Sequence, residues 1–113
     1  MNHRDRALLD LAYQFPCMLR LPCCEGGAGE PAHSNQSAHG KGGMIKAHDC
    51  FAVPACRACH RELDQGRTMT REERSEAWDR AFREYLPLLF QRGYVIVNPG
   101  LIRLGRVPVE YAA

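Results

Sequence analysis

The chain has no long uninterrupted apolar run. No stretch of roughly 18 consecutive apolar residues occurs, so we expect no transmembrane helix. Residues 1–20 also lack the apolar core of about 7–15 residues that defines a secretory signal, because charged side chains interrupt them. We therefore expect a cytoplasmic protein. In such a reducing compartment, paired cysteines are metal ligands more often than they are disulfides.

Tryptophan and lysine are scarce. A chain of 113 residues with 45% apolar content and a single Trp indicates one domain with a modest core. Among its 15 basic residues only Lys41 and Lys46 are lysines, and the rest are arginines. Arginine is the better bidentate partner for phosphate, but a GC-rich genome also favours arginine. The net charge of +2 is too small to indicate nucleic-acid binding by itself.

The pattern of apolar and turn residues predicts a single α+β domain over residues 1–113. Residues 1–15 are expected to form an N-terminal helix that Pro16 ends. Residues 16–66 are expected to hold a cysteine knuckle and an irregular hairpin, with strands near residues 32–35 and 50–53 and a glycine-rich crossing at residues 40–43. A helix over residues 55–65 should follow, with Gly66 at its C-cap.

The second half of the chain carries the strongest helical signal. Thr70 and Glu73 have the spacing of a capping box, and apolar residues recur behind them at intervals of three and four, which predicts an amphipathic helix over residues 70–92. Pro87 should kink this helix and Gly93 should end it. A short strand is expected at residues 94–97, and residues 98–113 are expected to form a tail.

Cysteines provide the clearest chemical signal. Cys56 and Cys59 are one helical turn apart and can point at one ion, and Cys17 with either Cys23 or Cys24 can supply the other half of a tetrahedral zinc site. We favour Cys24, because it opens a glycine-rich turn and leaves Cys23 as a small apolar neighbour. Four protein ligands would make the zinc structural. The sixth cysteine, Cys50, is expected to be a buried free thiol.

Two other functions of the segment Cys56-Arg57-Ala58-Cys59-His60 are weaker. A c-type haem attachment site needs export to the compartment where haem is attached, and it leaves Cys17 and Cys24 without a role. A redox dithiol of the thioredoxin type should follow a strand in a clear strand-helix-strand unit, which the sequence does not show.

The histidine that follows the cysteine pair indicates a second site. His60 should point away from the zinc, and Asp64 lies four residues further along the same helix face, so both can reach one divalent cation. On the preceding strand, His33 is our candidate general base for activating water. We expect Asn35, Lys46 or Asp49 to orient this base or to contact phosphate. His39 and His48 lie in the crossing segment and are expected to face solvent or DNA.

The order of these residues resembles the YbcO-like family of small prophage HNH-type nucleases. The resemblance covers about residues 16–97 and depends on a series of short motifs: Cys17-Met18-Leu19-Arg20-Leu21-Pro22, Cys24-Glu25-Gly26, Ala32-His33, Gly40, Lys46, Asp49, and Cys56-x-x-Cys59-His60-x-x-x-Asp64.

The resemblance implies a ββα-metal core of the His-Me finger type, with a four-cysteine zinc knuckle and flanking helices. It implies His33 as the base, His60 and Asp64 as ligands of a catalytic Mg²⁺ or Mn²⁺, and Cys17, Cys24, Cys56 and Cys59 as ligands of a structural Zn²⁺. Asp49 is the nearest candidate for the middle residue of the HNH motif. The position before the base, which is often an acidic or histidine ligand in such motifs, holds Ala32.

We therefore expect a divalent-metal-dependent DNA endonuclease of phage or prophage origin. Its expected partner is DNA, with neither a membrane nor a small-molecule cofactor involved, and a homodimer or a phage recombination partner is a further expectation. The alternative is a catalytically inactive zinc-binding module that contacts nucleic acid or such a partner, and Ala32 is the residue that keeps this alternative open.

Overall fold

The computed structural model of the chain describes residues 2, 4–98 and 103–106, with backbone only for residues 95–98 and 103–106. These residues form a small α+β fold. The elements follow in the order α1 (Arg6–Leu11), β1 (Glu30–His33), β2 (Ala52–Ala55), α2 (Arg57–Gln65), α3 (Arg71–Gln91), β3 (Tyr94–Asn98) and β4 (Arg103–Arg106). Within this part of the chain, no helix is both long and apolar enough to cross a bilayer.

The N-terminal helix is shorter than the sequence predicts. Helix α1 begins after Asp5, whose side chain accepts a hydrogen bond from the backbone N–H of Leu8 at 3.1 Å. This N-cap fixes the start of the helix. A single 3₁₀ turn at Ala12–Gln14 then leads towards Pro16. Asn2 and Arg4 therefore lie before the helix, where their side chains contact the backbone carbonyls of a distant segment.

Strands β1 and β2 form a two-stranded antiparallel sheet in which Glu30 pairs with Ala55 and His33 pairs with Ala52. The predicted strands near residues 32–35 and 50–53 are therefore wrong by two residues each. Pro31 lies opposite Pro54 in this register. Because each strand of a two-stranded sheet has one free edge, two prolines can be accepted where a central strand would lose hydrogen bonds.

Helix α2 follows β2 after one residue, Cys56, which occupies the N-cap position. The helix was predicted to begin at residue 55, but Ala55 ends the strand instead. Gly66 takes the C-cap position, as predicted, and its N–H donates to the carbonyl of Glu62 at 2.8 Å. The order strand, strand, helix thus places β1, β2 and α2 in one compact unit.

Helix α3 begins with the predicted capping box, which is confirmed. Thr70 Oγ1 accepts from the N–H of Glu73 at 3.0 Å, and the N–H of Thr70 donates to Glu73 Oε1 at 2.7 Å. The helix continues through Pro87 to Gln91, and Gly93 ends it with a φ of 85°, a value that favours glycine. The buried side chains of the helix recur at intervals of three and four: Trp78, Ala81, Tyr85 and Leu89.

The predicted tail over residues 98–113 is wrong in one part. Residues Arg103–Arg106 form β4, which pairs antiparallel with β3 in a second two-stranded sheet. Strand β3 itself, predicted at residues 94–97, spans Tyr94–Asn98. The dipeptide Pro99-Gly100 is a turn signal that could have indicated this hairpin. Residues 99–102 and 107–113 of the predicted tail lie outside the described residues.

Trp78 connects the two halves of the core. Its side chain is only 1% exposed, and its indole N–H donates to the carbonyl of Ala32 on β1 at 3.1 Å. The indole also stacks on Phe82. A buried indole N–H needs such a partner, so the hydrogen bond fixes α3 against the strand that carries His33.

Candidate functional site

The four cysteines predicted to form a knuckle lie together. Cys17 and Cys24 come from the segment before β1, Cys56 is the N-cap of α2, and Cys59 lies in the first turn of that helix. Their sulfur atoms all lie within 4.8 Å of one another. Among the residues that the structure describes, this is the one group of three or more His, Cys, Asp or Glu side chains close enough to share an ion.

The spacing of the sulfurs fits a tetrahedral metal site. The Sγ atoms of Cys17 and Cys24 lie 3.7 Å apart, and those of Cys24 and Cys56 lie 3.9 Å apart. Four sulfurs at about 2.3 Å from a zinc ion in tetrahedral geometry would lie about 3.8 Å from one another. The cluster could therefore hold a metal ion such as zinc with little rearrangement.

Backbone N–H groups point at the sulfurs of this cluster. Leu21 N–H lies 3.3 Å from Cys59 Sγ, and Gly26 N–H lies 3.3 Å from Cys24 Sγ. Burial raises the pKa of Cys56, but the backbone N–H groups of Cys59 and Glu25 outweigh it, and the pKa falls to about 7. Such donors favour the thiolate, which is the metal-binding form of cysteine. At Cys24 and Cys59, burial and the neighbouring thiols outweigh the N–H donors, and the pKa of both thiols lies above its usual value.

The other two cysteines lie outside the cluster. Cys23 is exposed in the turn beside Cys24, and its Sγ lies 3.6 Å from the carbonyl of Ala58. The expectation that Cys23 packs as a small apolar neighbour is therefore wrong, although Cys24 is the member of the pair that joins the cluster. Cys50 is 2% exposed, and burial raises its pKa to about 11, which fits the predicted buried free thiol.

Helix α3 holds the cysteine knuckle from outside. Arg80 donates to the backbone carbonyls of Met18 and Leu19, and Arg20 forms an ion pair with Glu84. Arg20 has a φ of 44°, a left-handed conformation that is uncommon for a residue other than glycine. Arg20 lies between Cys17 and Cys24 in the chain, so its ion pair ties the segment that carries both cysteines to α3.

A second group of polar side chains surrounds His33 at the end of β1. His33 Nε2 lies 2.8 Å from Asp49 Oδ1, and the two side chains are 15% and 5% exposed. Asp49 also accepts from the guanidinium of Arg4 at 3.1 Å and from the N–H of Asp5 at 2.6 Å. Burial raises the pKa of Asp49, but hydrogen bonds from His33 and Asp5 outweigh it, so this pKa lies below its usual value.

His60 bridges two carboxylates on the outer side of α2. Its Nδ1 lies 2.9 Å from Glu30 Oε1, and its Nε2 lies 3.3 Å from Asp64 Oδ2. The hydrogen bond to Asp64 raises the pKa of His60 against the effect of burial, and Glu30 adds to the increase. The adjacent Cys59 is fully buried in the cysteine cluster, so neighbouring residues serve two different sites.

Asn35 connects the two polar groups. Its side-chain amide donates to Asp64 Oδ1 at 2.9 Å and to the carbonyl of Leu63 at 3.2 Å. Burial raises the pKa of Asp64, but the hydrogen bonds from His60 and Asn35 outweigh it, and the charge of His33 lowers it further. Asn35 follows His33 by two residues, so the segment that continues β1 contacts Asp64 on α2.

Other residues suggested from the sequence have different roles. Lys46 contributes its backbone carbonyl to Asn2 and Arg4, while its side chain is exposed. His39 was expected to face solvent or DNA, and this is wrong: its ring stacks on Phe51 with 4.2 Å between centroids, and its Nδ1 lies 2.6 Å from the fully buried Oγ of Ser34. Aromatic packing in the core decides this position.

Two residues of the site were missed. Glu30 lies three residues before His33 on β1, and Arg4 lies 45 positions before Asp49. The strand register would have placed Glu30 opposite Ala55, close to the start of α2, and could have indicated it. Nothing local marks Arg4, because its role depends on a contact between distant segments.

Comparison with known proteins gives one family. Residues 7–85, more than half of the chain, match the model of the family described as "Protein of unknown function (DUF968)". No match was found among curated proteins or among solved structures. The matched region contains the four-cysteine cluster and all the polar residues around His33 and His60 except Arg4 and Asp5. The chain therefore belongs to the DUF968 family.

Proposed function

We propose that the protein is a divalent-metal-dependent endonuclease that hydrolyses phosphodiester bonds in DNA. The observation that carries this proposal is that β1 presents both His33, which is held by Asp49, and Glu30, which contacts His60 of the helix-borne pair His60 and Asp64. One imidazole is oriented for proton transfer, and the adjacent pair offers one nitrogen and one carboxylate oxygen. The order β1, β2, α2 agrees with the ββα-metal core that the sequence resemblance implies.

Asp49 defines the proton-accepting atom of the base. An ionised carboxylate only accepts hydrogen bonds, so the nitrogen facing Asp49, Nε2 of His33, carries the proton. The neutral ring then has its lone pair on Nδ1. That nitrogen can take a proton from a water molecule as the water attacks phosphorus. Asp49 stabilises the imidazolium that forms, because its negative charge lies 2.8 Å away.

His60 and Asp64 are suited to hold Mg²⁺ or Mn²⁺. Their nearest ligand atoms lie 3.3 Å apart, and neighbouring ligands of an octahedral Mg²⁺ at about 2.1 Å lie about 3 Å apart. Glu30 accepts from the other ring nitrogen of His60, the arrangement that commonly orients a metal-binding histidine. When bound, the cation would stabilise negative charge on the phosphate oxygens and the leaving group.

The cysteine cluster has a separate role in this proposal. We assign it a structural Zn²⁺, because four protein sulfurs leave no open coordination position. In small domains, binding of structural zinc contributes on the order of 10 kcal/mol to folding. Because Cys56 and Cys59 lie on α2, the zinc would fix the helix that presents His60 and Asp64.

The test is plasmid nicking by the purified, zinc-loaded chain with and without Mg²⁺ or Mn²⁺. We expect metal-dependent conversion of supercoiled to open-circular DNA, and His33→Ala should reduce its rate by about 10²–10⁴-fold, the usual contribution of a general base. The control is His48→Ala, which removes another half-buried histidine, in the segment between β1 and β2, and should keep the wild-type rate. Both variants should retain zinc. Undiminished nicking by His33→Ala would refute the mechanism.

A second candidate function is supported by Ala32. Ala32, the residue before the base, offers no ligand. We therefore assign only His60 and Asp64 of the described residues to the cation, and its other positions need water or phosphate oxygens. The chain would then be a zinc-stabilised module that binds nucleic acid without cutting it. Salt-dependent DNA binding with no cleavage in Mg²⁺, Mn²⁺ or Ni²⁺ would favour this function over the enzyme.

A further inference from the structure

We propose that Arg57 and Arg61, on the outer face of α2, bind the backbone phosphates of the nucleic acid next to the phosphate at His60 and Asp64. The inference deepens the proposed function and depends on it for the identity of the partner. Arg57 and Arg61 would bind phosphate whether or not the nucleic acid is then cleaved. The inference therefore applies both to an enzyme and to a binding module.

The two arginines line the same open cleft as the polar site. The cleft is formed by Glu30, Arg57, His60, Arg61, Asp64 and Gln65. Arg57 and Arg61 are four residues apart on one helix, so their side chains leave the same face one turn apart. A phosphate bound to either guanidinium would therefore be a near neighbour of one bound at His60 and Asp64.

Arg57 and Arg61 form no ion pair among the described residues, whereas four other arginines are held by carboxylates. Arg4 pairs with Asp49, Arg6 with Asp10, and both Arg20 and Arg80 with Glu84. Arg20 is thus engaged in holding the cysteine knuckle against α3. The guanidinium groups of Arg57 and Arg61 are exposed and keep their donors for bidentate binding of phosphate.

Charge decides which side of the polar site favours phosphates. A larger cleft also borders the site and shares Asp64 with the first. Its basic residues Lys41, Arg71 and Arg74 are accompanied by Asp64, Glu72 and Glu76, and Glu72 and Glu76 form no ion pair among the described residues, so they repel a phosphate. In the smaller cleft both carboxylates, Glu30 and Asp64, contact His60. The Arg57 and Arg61 side is therefore the more favourable path for the backbone of a bound strand.

The experiment measures binding without added divalent cation, so that cleavage is not needed. Fluorescence anisotropy of a labelled 20-nucleotide duplex is followed at several NaCl concentrations with the zinc-loaded chain. Replacing both residues, Arg57→Gln and Arg61→Gln, should weaken binding. The double variant should also show a salt dependence that is less steep: the magnitude of the slope of log K, the logarithm of the binding constant, against log salt should fall by about 1.8. Each phosphate contact contributes about 0.9 to this slope on duplex DNA.

The matched control is Arg83→Gln, which removes an exposed arginine of α3 that lines neither cleft. It should leave the slope unchanged, and replacing both residues by lysine should keep the slope while weakening binding. An unchanged slope in the glutamine variant, or an equal loss in the Arg83 variant, overturns the assignment. If the wild-type chain binds and does not cleave, the enzyme proposal fails and this one stands. If the wild-type chain cleaves DNA and the glutamine variant keeps the wild-type salt slope, the enzyme proposal stands and the assignment of Arg57 and Arg61 fails.

Discussion

His33 Nε2 lies 2.8 Å from Oδ1 of Asp49, two residues that are 16 positions apart in the chain. The carboxylate is nearly buried and is also held by Arg4 and by the N–H of Asp5. The N-terminal segment therefore supports the acceptor that orients the histidine. In the proposed reaction, this arrangement gives the two side chains separate tasks: His33 would exchange the proton, and Asp49 would set the tautomer and stabilise the charged ring.

Asp49→Asn should slow DNA cleavage while leaving the zinc content unchanged. The amide keeps the shape of the side chain but removes the charge that stabilises the imidazolium. A hydrogen bond to a charged group is worth about 1.5–3 kcal/mol, so we expect a loss of about 10- to 150-fold in kcat. Single-turnover cleavage measures this loss. The control is Asp10→Asn, which removes an exposed carboxylate paired with Arg6 and should keep the wild-type rate.

Asp49 should also make stability depend on pH. Its pKa is lower in the folded chain than in the unfolded chain, so its contribution is present above the unfolded pKa of about 3.9 and is lost as pH falls through the folded pKa. Wild type should exceed Asp49→Asn by about 2 kcal/mol in free energy of unfolding at pH 7. The difference should shrink below pH ~4, as protonation removes the charge from the wild-type carboxylate.

Urea unfolding of both proteins at pH 7 and pH 3 tests this dependence. Zinc release at acid pH destabilises both proteins alike, so the difference between them isolates Asp49. A difference that is the same at both pH values would show that the carboxylate contributes no pH-dependent stability.

Cys56→Ser should lose the metal and much of the stability. Serine cannot replace a thiolate ligand, and structural zinc contributes on the order of 10 kcal/mol in comparable small sites. We expect about one zinc per chain in the wild type and markedly less in the variant, together with a large fall in Tm. Elemental analysis and thermal unfolding provide the measurements. Cys23→Ser changes an exposed thiol outside the cluster and should keep both zinc and Tm.

Trp78→Phe should destabilise the fold without removing zinc. The change deletes the hydrogen bond to the buried carbonyl of Ala32 and leaves a small cavity, for a combined cost of about 2–4 kcal/mol. Urea unfolding monitored by circular dichroism measures this cost. Tryptophan fluorescence cannot be used, because Trp78 is the only tryptophan and the variant lacks it. Tyr13→Phe, at a site 58% exposed, is the control and should have almost no effect.

Several features could be predicted from the sequence because their causes are local. The capping box at Thr70 and Glu73 and the left-handed Gly93 depend on backbone groups within a few residues. The pairing of Cys56 with Cys59 depends on one turn of helix. The grouping of these two with Cys17 and Cys24 followed from the needs of tetrahedral zinc, and the structure brings all four together.

The positions of the strands were harder to predict from the sequence, because they depend on pairing between segments. Strands β1 and β2 are displaced by two residues from their predicted positions, in a register that places Pro31 against Pro54. Strand β4 was missed because its signal is weak until it pairs with β3. His39 was misjudged for a similar reason, since its burial depends on Phe51 and Trp78 from other parts of the chain.

By itself, the sequence determined the cysteine set, the main helices and the candidates His33, His60 and Asp64, because residue type and short spacing define these features. Only the tertiary structure decided which side chains contact and orient these candidate residues. Arg4 reaches Asp49 across 45 positions, and Glu30 reaches His60 across 30. Such contacts form only after strand pairing and helix packing have closed the intervening loops, so no local pattern encodes them.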